Sequence, residues 1–159
     1  MSAIFPAPGH DHSRCAAEAI NHAEERCAER GQRLTPLRRH VLEALATSHR
    51  PLGAYEIIEC MSGTRGRPAP ITVYRALDFL MENGLVHRIE SRNAFLACIN
   101  NHEQRAPVVF LICERCGAVG ETSAAAVGEA LTGAAKGARF TPRMSVVEIT
   151  GVCSHCRNT

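Results

Sequence analysis

Cys113-Glu-Arg-Cys116 and Cys153-Ser-His-Cys156 are two Cys-x-x-Cys pairs in one short chain. Four thiolates so spaced can close a tetrahedral shell around Zn²⁺, with Zn–S of roughly 2.3 Å. Each pair supplies two ligands from a tight turn, and the fold must bring the second turn beside the first. One pair alone also fits a redox dithiol. Two of them, each beside a β-rich apolar run, point to a structural zinc. Disulfides are the competing chemistry. The N-terminus lacks the basic-then-apolar pattern of a secretion signal. Eight cysteines without that pattern fit a reducing compartment, where thiolates bind metal, so the expected location is cytoplasmic.

A second set of donors stands apart from the four thiolates. His87, Cys98, His102 and Glu121 offer N, S, N and O atoms around the junction between two differently patterned halves. A mixed set of this kind suits zinc at an exchangeable site. Each residue alone has a bland role: Cys98 as a buried apolar group, His102 as a solvated loop residue, Glu121 as a surface charge. His10, His12 and Cys15 could also bind metal, but they sit in or beside a Pro- and His-rich segment that reads as a flexible tail. Cys15, Cys27 and Cys60 read as packed or idle thiols within helices.

The third chemical feature is basic. Tyr74 and Arg75 fall near the start of an apolar-periodic segment and point away from its Val73/Leu77 side. Arg can read guanine O6 and N7 with two hydrogen bonds, and Tyr can touch a thymine methyl or a phosphate. Arg38, Arg65 and Arg67 would flank them on phosphates. Lys136 is the sole lysine; arginine suits bidentate contacts to phosphate and guanine. The net charge of +2 neither announces nor excludes a nucleic acid, because local patches decide.

The elements that position these groups follow from pattern. A helix is expected from Ser13 to Arg30, ended by Gly31. Thr35-Pro36 reads as a cap with Pro at the first helical position, opening a helix with Val41, Leu42 and Leu45 on one side. Ala54–Met61 is a third helix. Thr72 caps a fourth, which runs to Asn83 and stops at Gly84. Leu85–Glu90 and Ala94–Ile99 read as strands around a Ser91-Arg92-Asn93 turn. Helices followed by a hairpin make a winged helix-turn-helix. Beyond residue 100, strands at Val108–Ile112 and Ala118–Glu121, a helix at Ser123–Lys136 and a strand at Met144–Thr150 frame the two Cys pairs. The fold class is therefore α+β. The layout is a tail (1–12), a winged-helix domain (13–92), a hinge (93–104) and a zinc-binding α/β domain (105–159). No apolar run is long enough to span a membrane.

Arg33-Leu-Thr-Pro-Leu-Arg38, Ala54-Tyr55, Thr72-Val-Tyr-Arg-Ala-Leu-Asp-Phe-Leu80, Gly84-Leu-Val-His87, Cys113-Glu-Arg-Cys-Gly117 and Cys153-x-x-Cys156 occur in that order. With these motifs the chain resembles the ferric uptake regulator family over roughly residues 15–157, and most resembles its zinc-specific branch. The resemblance implies a homodimer, made through the C-terminal domain, that represses transcription on double-stranded operator DNA when metallated. It implies Tyr55 and Thr72 on the DNA side with Tyr74 and Arg75. It implies a structural zinc on four cysteines and a sensor zinc on His87, Cys98, a loop His and Glu121, about two zinc ions per chain. The family's loop His usually lies nearer the first Cys pair, where this chain has Ala106 and Pro107. His102 takes the role here, with Glu103 as fallback. Cys98 favours zinc over iron.

Three functions compete on the residues themselves. The first is a zinc-responsive DNA-binding repressor with no small-molecule substrate, or a relative that senses iron or manganese. The second is a thiol enzyme, which would need a Cys pair opening a helix with a depressed thiol pKa; here both pairs follow strands. The third is a zinc-bearing protein-interaction module, against which the basic loop and Tyr74-Arg75 weigh.

Overall fold

Asp11 starts the first helix. Its carboxylate accepts the Ser13 backbone N–H at 2.9 Å, so α1 runs His12–Glu29. Gly31 follows with φ 62, a left-handed turn that glycine makes at little cost. Thr35 caps α2 (Pro36–Ala46), with Pro36 at the helix start as expected. α3 (Ala54–Met61) opens with the Gly53 N–H donating to the Glu56 carboxylate at 2.6 Å. α4 spans Pro70–Glu82 and its cap residue is Ala69. Thr72, expected as the cap, lies inside the first turn, where its hydroxyl donates to the Ala69 carbonyl at 2.6 Å. Pro70 explains the shift: its fixed φ and missing N–H suit the first helical position.

The computed structural model describes residues 4–5, 7, 9–63, 66–98 and 107–157. The chain divides into two compact units, one of Gly9–Ile99 and one of Met1–Pro8 with Asn100–Thr159.

In the first unit, α1–α4 enclose a core of Val41, Leu42, Leu45, Ile57, Ile58, Val73, Leu77 and Leu80, each at most 1 % exposed. β1 (Val86–Ile89) and β2 (Ala94–Ala97) form an antiparallel hairpin with His87 opposite Leu96. A 3₁₀ turn at Glu90–Arg92 and Asn93 at φ 46 join them; Asn tolerates that left-handed geometry better than most residues. Leu52 adds a bridge to Phe95, exchanging hydrogen bonds of 2.9 and 2.8 Å. This is a winged helix-turn-helix, and β2 lies in it with β1. Leu77→Ala is expected to destabilise this unit by about 2–5 kcal/mol, through lost transfer energy and a cavity. Tyr74→Ala, on the exposed side of the same helix, should stay within about 0.5 kcal/mol. Urea unfolding of the two variants checks the contrast.

In the second unit, β3 (Val108–Cys113) is central, with β4 (Val119–Ser123) antiparallel on one side and β5 (Val147–Gly151) parallel on the other. α5 (Ala125–Gly137) makes the crossover and buries no residue. β5 exposes Ile149 at 52 %. α6 (Ser154–Arg157) is a short helix that the pattern did not suggest. Of the segment expected as a tail, Ile4 and Phe5 lie against Gly120 of β4, and His155 of α6 bonds the Phe5 carbonyl at 3.1 Å.

Candidate metal centres and nucleic-acid interface

The parallel register of β3 and β5 assembles the four thiols. Cys113 pairs with Gly151, so both Cys turns leave the same end of neighbouring strands. The two turns are tied together: Glu114 donates to the Gly151 carbonyl at 2.8 Å, and the Arg115 guanidinium to the Cys156 carbonyl at 2.7 Å. Cys116 Sγ lies 3.8 Å from Cys153 Sγ, and all four Sγ atoms fall within 4.8 Å of one another. Backbone N–H donors from Cys116 and then Cys153 pull the Cys113 thiol down to about 6. Hydrogen bonding to Cys153, then burial, pushes Cys156 up to about 12. Four sulfurs this close cannot all carry charge unless a cation neutralises them, and a tetrahedral thiolate shell is what Zn²⁺ takes. The second pair does open a helix, α6, contrary to the expectation that both pairs merely follow strands. Its sulfurs nevertheless belong to a closed group of four, not to an isolated dithiol.

The residues of the mixed donor set fall in both units. His87, half-buried, stands on β1 of the first unit, and Cys98, 8 % exposed, follows β2. The Cys98 N–H donates to Leu85 at 2.9 Å, extending the hairpin ladder. This fixes the ligand atoms of His87 and Cys98 within 4.8 Å of each other. Glu121 stands on β4 of the second unit, opposite Phe110 and 6 % exposed. His102 and its fallback Glu103 lie outside the described residues.

α4 presents the basic side as expected. Val73, Ala76, Leu77 and Leu80 are buried, while Tyr74 is 43 % exposed and Arg75 faces solvent. Tyr55, on α3, is 63 % exposed. Arg67 is exposed in the loop before α4, and Arg65 lies outside the described residues. Arg38 is held in place: its guanidinium stacks 3.4 Å over the Phe79 ring and donates to the Arg33 carbonyl at 2.7 Å. Such stacking leaves further N–H donors for an anion.

One grouping escaped the sequence. His10, His12 and Cys15 come together with His49, from the loop after α2, all within the first unit. No helix among the described residues is long and apolar enough to cross a membrane.

Comparison with known proteins agrees with this architecture. The ferric uptake regulator family model matches residues 29–149. The zinc uptake regulation protein of Escherichia coli (strain K12) is 37 % identical over 139 residues, covering 87 % of this chain and 81 % of that protein. A zinc uptake regulator complexed with zinc and DNA superposes with a TM-score of 0.84 at 36 % identity, covering 90 % of this chain and 95 % of that one. The holo form of XcZur gives a TM-score of 0.80 at 41 % identity, covering 88 % and 97 %.

Proposed function

Because the chain belongs to the ferric uptake regulator family, we propose that it is a zinc-responsive transcriptional repressor, cytoplasmic, that binds operator DNA as a metallated homodimer and controls zinc uptake genes. It is a regulator, not an enzyme. The observation that carries the reading is the presence, in one chain, of a closed four-thiol cluster and an exposed Tyr74-Arg75 side on the helix that a helix-turn-helix lays in the major groove.

Each part has a role. Cys113, Cys116, Cys153 and Cys156 would hold a structural zinc, whose binding energy is folding energy for the unit around it. His87, Cys98, His102 and Glu121 are the proposed holders of a second, exchangeable zinc. α5, with no buried residue, and the exposed Ile149 on β5 leave apolar surface that a second copy would cover, as a two-fold dimer requires. Tyr55, Thr72, Tyr74 and Arg75 form the proposed DNA side, with Arg38, Arg65 and Arg67 on phosphates.

The deciding experiment is elemental analysis of the purified protein, followed by operator binding with and without a chelator. About two or more zinc ions per chain at saturation and duplex binding that the chelator abolishes are expected. Duplex binding indifferent to metal would overturn the reading. The DNA side is tested by substitution. Arg75→Ala should weaken operator binding by about 1–3 kcal/mol and relax preference at one base position. Arg67→Ala should weaken all sequences alike and flatten the salt dependence by about one unit of slope. Fluorescence anisotropy over a salt series, on operator and scrambled duplexes, separates the two.

A further inference from the structure

We propose that His10, His12, Cys15 and His49 form a third zinc site, built wholly within the winged-helix unit and separate from both sites described above. It stands whether or not the sensor assignment does.

The geometry converges on one point. His12 and Cys15 lie three residues apart at the start of α1, so both face the same side of the helix. His10, ahead of the Asp11 cap, turns back over that side. Its Nε2 reaches Cys15 Sγ at 3.3 Å and His49 Nε2 at 2.8 Å. The His10 ring stacks on His49 with centroids 4.6 Å apart, and it lies 4.3 Å from the His12 ring. One ligand atom from each of the four residues lies within 4.8 Å of the others. Zn–N of about 2.0–2.1 Å and Zn–S of about 2.3 Å in a tetrahedron require ligand atoms roughly 3.3–3.8 Å apart. Small side-chain rotations within that 4.8 Å group, opening the His10–His49 pair from 2.8 Å and drawing in the wider ones, complete the shell.

Plain packing accounts poorly for the group. His49 is 8 % exposed, and buried ring nitrogens of His12 and His49 have no hydrogen-bond partner among the described residues. Three imidazoles and one sulfur, with no carboxylate among them, suit zinc, copper, nickel or cobalt more than iron, manganese or magnesium. Of these, zinc takes tetrahedral N₃S without strain. A zinc there would clip the start of α1 to the α2–α3 connection, closing a loop of 39 residues between His10 and His49.

The test uses the full chain in a Cys98→Ser background, which leaves the four-cysteine site intact and removes the thiolate of the proposed sensor. Cobalt is titrated into zinc-loaded protein after mild chelation, and the d–d and thiolate-to-cobalt bands are read. The parent should take up a further equivalent with tetrahedral bands and a thiolate band. Adding Cys15→Ser should erase that thiolate band, and His10→Asn with His12→Asn should abolish the uptake. Elemental analysis at zinc saturation should fall by one equivalent per chain in the His10/His12 variant. Both sets lie on the half-exposed N-terminal segment, so the buried His49 is left in place, and circular dichroism melts verify the fold. An unchanged thiolate band in Cys15→Ser, or unchanged zinc content in the folded His10/His12 variant, overturns the proposal.

Discussion

Cys113→Ser and Cys156→Ser are each expected to unfold the unit Asn100–Thr159 and to abolish the dimer. The size of the effect follows from what the four sulfurs replace. This unit has a three-stranded sheet and two helices, neither of which buries a residue, so its hydrophobic core is small. Structural zinc in small domains supplies roughly 10–16 kcal/mol of apparent binding free energy near neutral pH. Whole domains are stable by only about 5–15 kcal/mol. Losing one ligand of four therefore removes a large part of the net stability. Cys113 is also built into the sheet: its sulfur accepts the Cys153 N–H at 3.4 Å, and its own N–H donates to the Ala118 carbonyl at 2.9 Å. Serine would keep the backbone bonds and lose the ligand, so the substitution isolates the metal. Cys60→Ser is the control, because that thiol is exposed on α3. Size-exclusion chromatography, zinc content and far-ultraviolet circular dichroism should show monomer, one zinc fewer and partial loss of structure for the first two variants. Cys60→Ser should match the parent. A stable dimer that has lost the tightly held zinc would defeat the structural assignment.

The fold was legible where one residue type does one job. Thr35-Pro36 cannot easily be anything but a helix start, and Val73, Leu77 and Leu80 repeat at helical spacing because they face one core. The two Cys pairs pointed to one shared cluster, and their four sulfurs do come together. Legibility failed where two signals competed. Thr72 carries a capping side chain, but Pro70 two residues earlier prefers the first turn, and the proline prevailed. α6 is four residues long, too short for periodicity to reveal. The His49 grouping lay beyond reach for a different reason. His10 and His49 lie 39 positions apart in the chain, and the packing of α1 on α2 brings them together. The Cys113–Gly151 register is likewise a tertiary fact: the motifs predict a common ion, but the parallel pairing explains why their turns meet.

Cys98→Ser is expected to keep the dimer and the tightly held zinc while losing zinc-dependent operator binding. The argument starts from where the proposed ligands sit. His87 and Cys98 are fixed on the wing hairpin by its ladder, whereas Glu121 belongs to β4 of the other unit. On this proposal a shared ion would couple the DNA-reading unit to the dimerising one. On the same proposal, without the ion the two heads of a dimer would sample other orientations. Switching then needs only differential affinity. An ion that binds the DNA-competent arrangement about 10⁴-fold more tightly moves a 1:99 population to 99:1. Linkage demands the converse, that operator DNA tighten zinc binding by the same factor. Serine offers zinc a far poorer ligand than thiolate, yet it is close to cysteine in size, so Cys98 at 8 % exposure can be replaced without a large cavity. Operator binding measured across buffered free zinc should lose its metal dependence in Cys98→Ser, and zinc affinity should no longer rise on adding operator. In cells the target genes should be expressed whatever the zinc supply. The loop ligand is decided by the same assay. His102→Ala should copy Cys98→Ser if His102 completes the set; if it responds like the parent and Glu103→Ala does not, the ligand is Glu103. A Cys98→Ser protein that remains fully zinc-responsive would remove the sensor set altogether, and would leave the four-cysteine site and the Tyr74-Arg75 side of α4 to be explained by another switch.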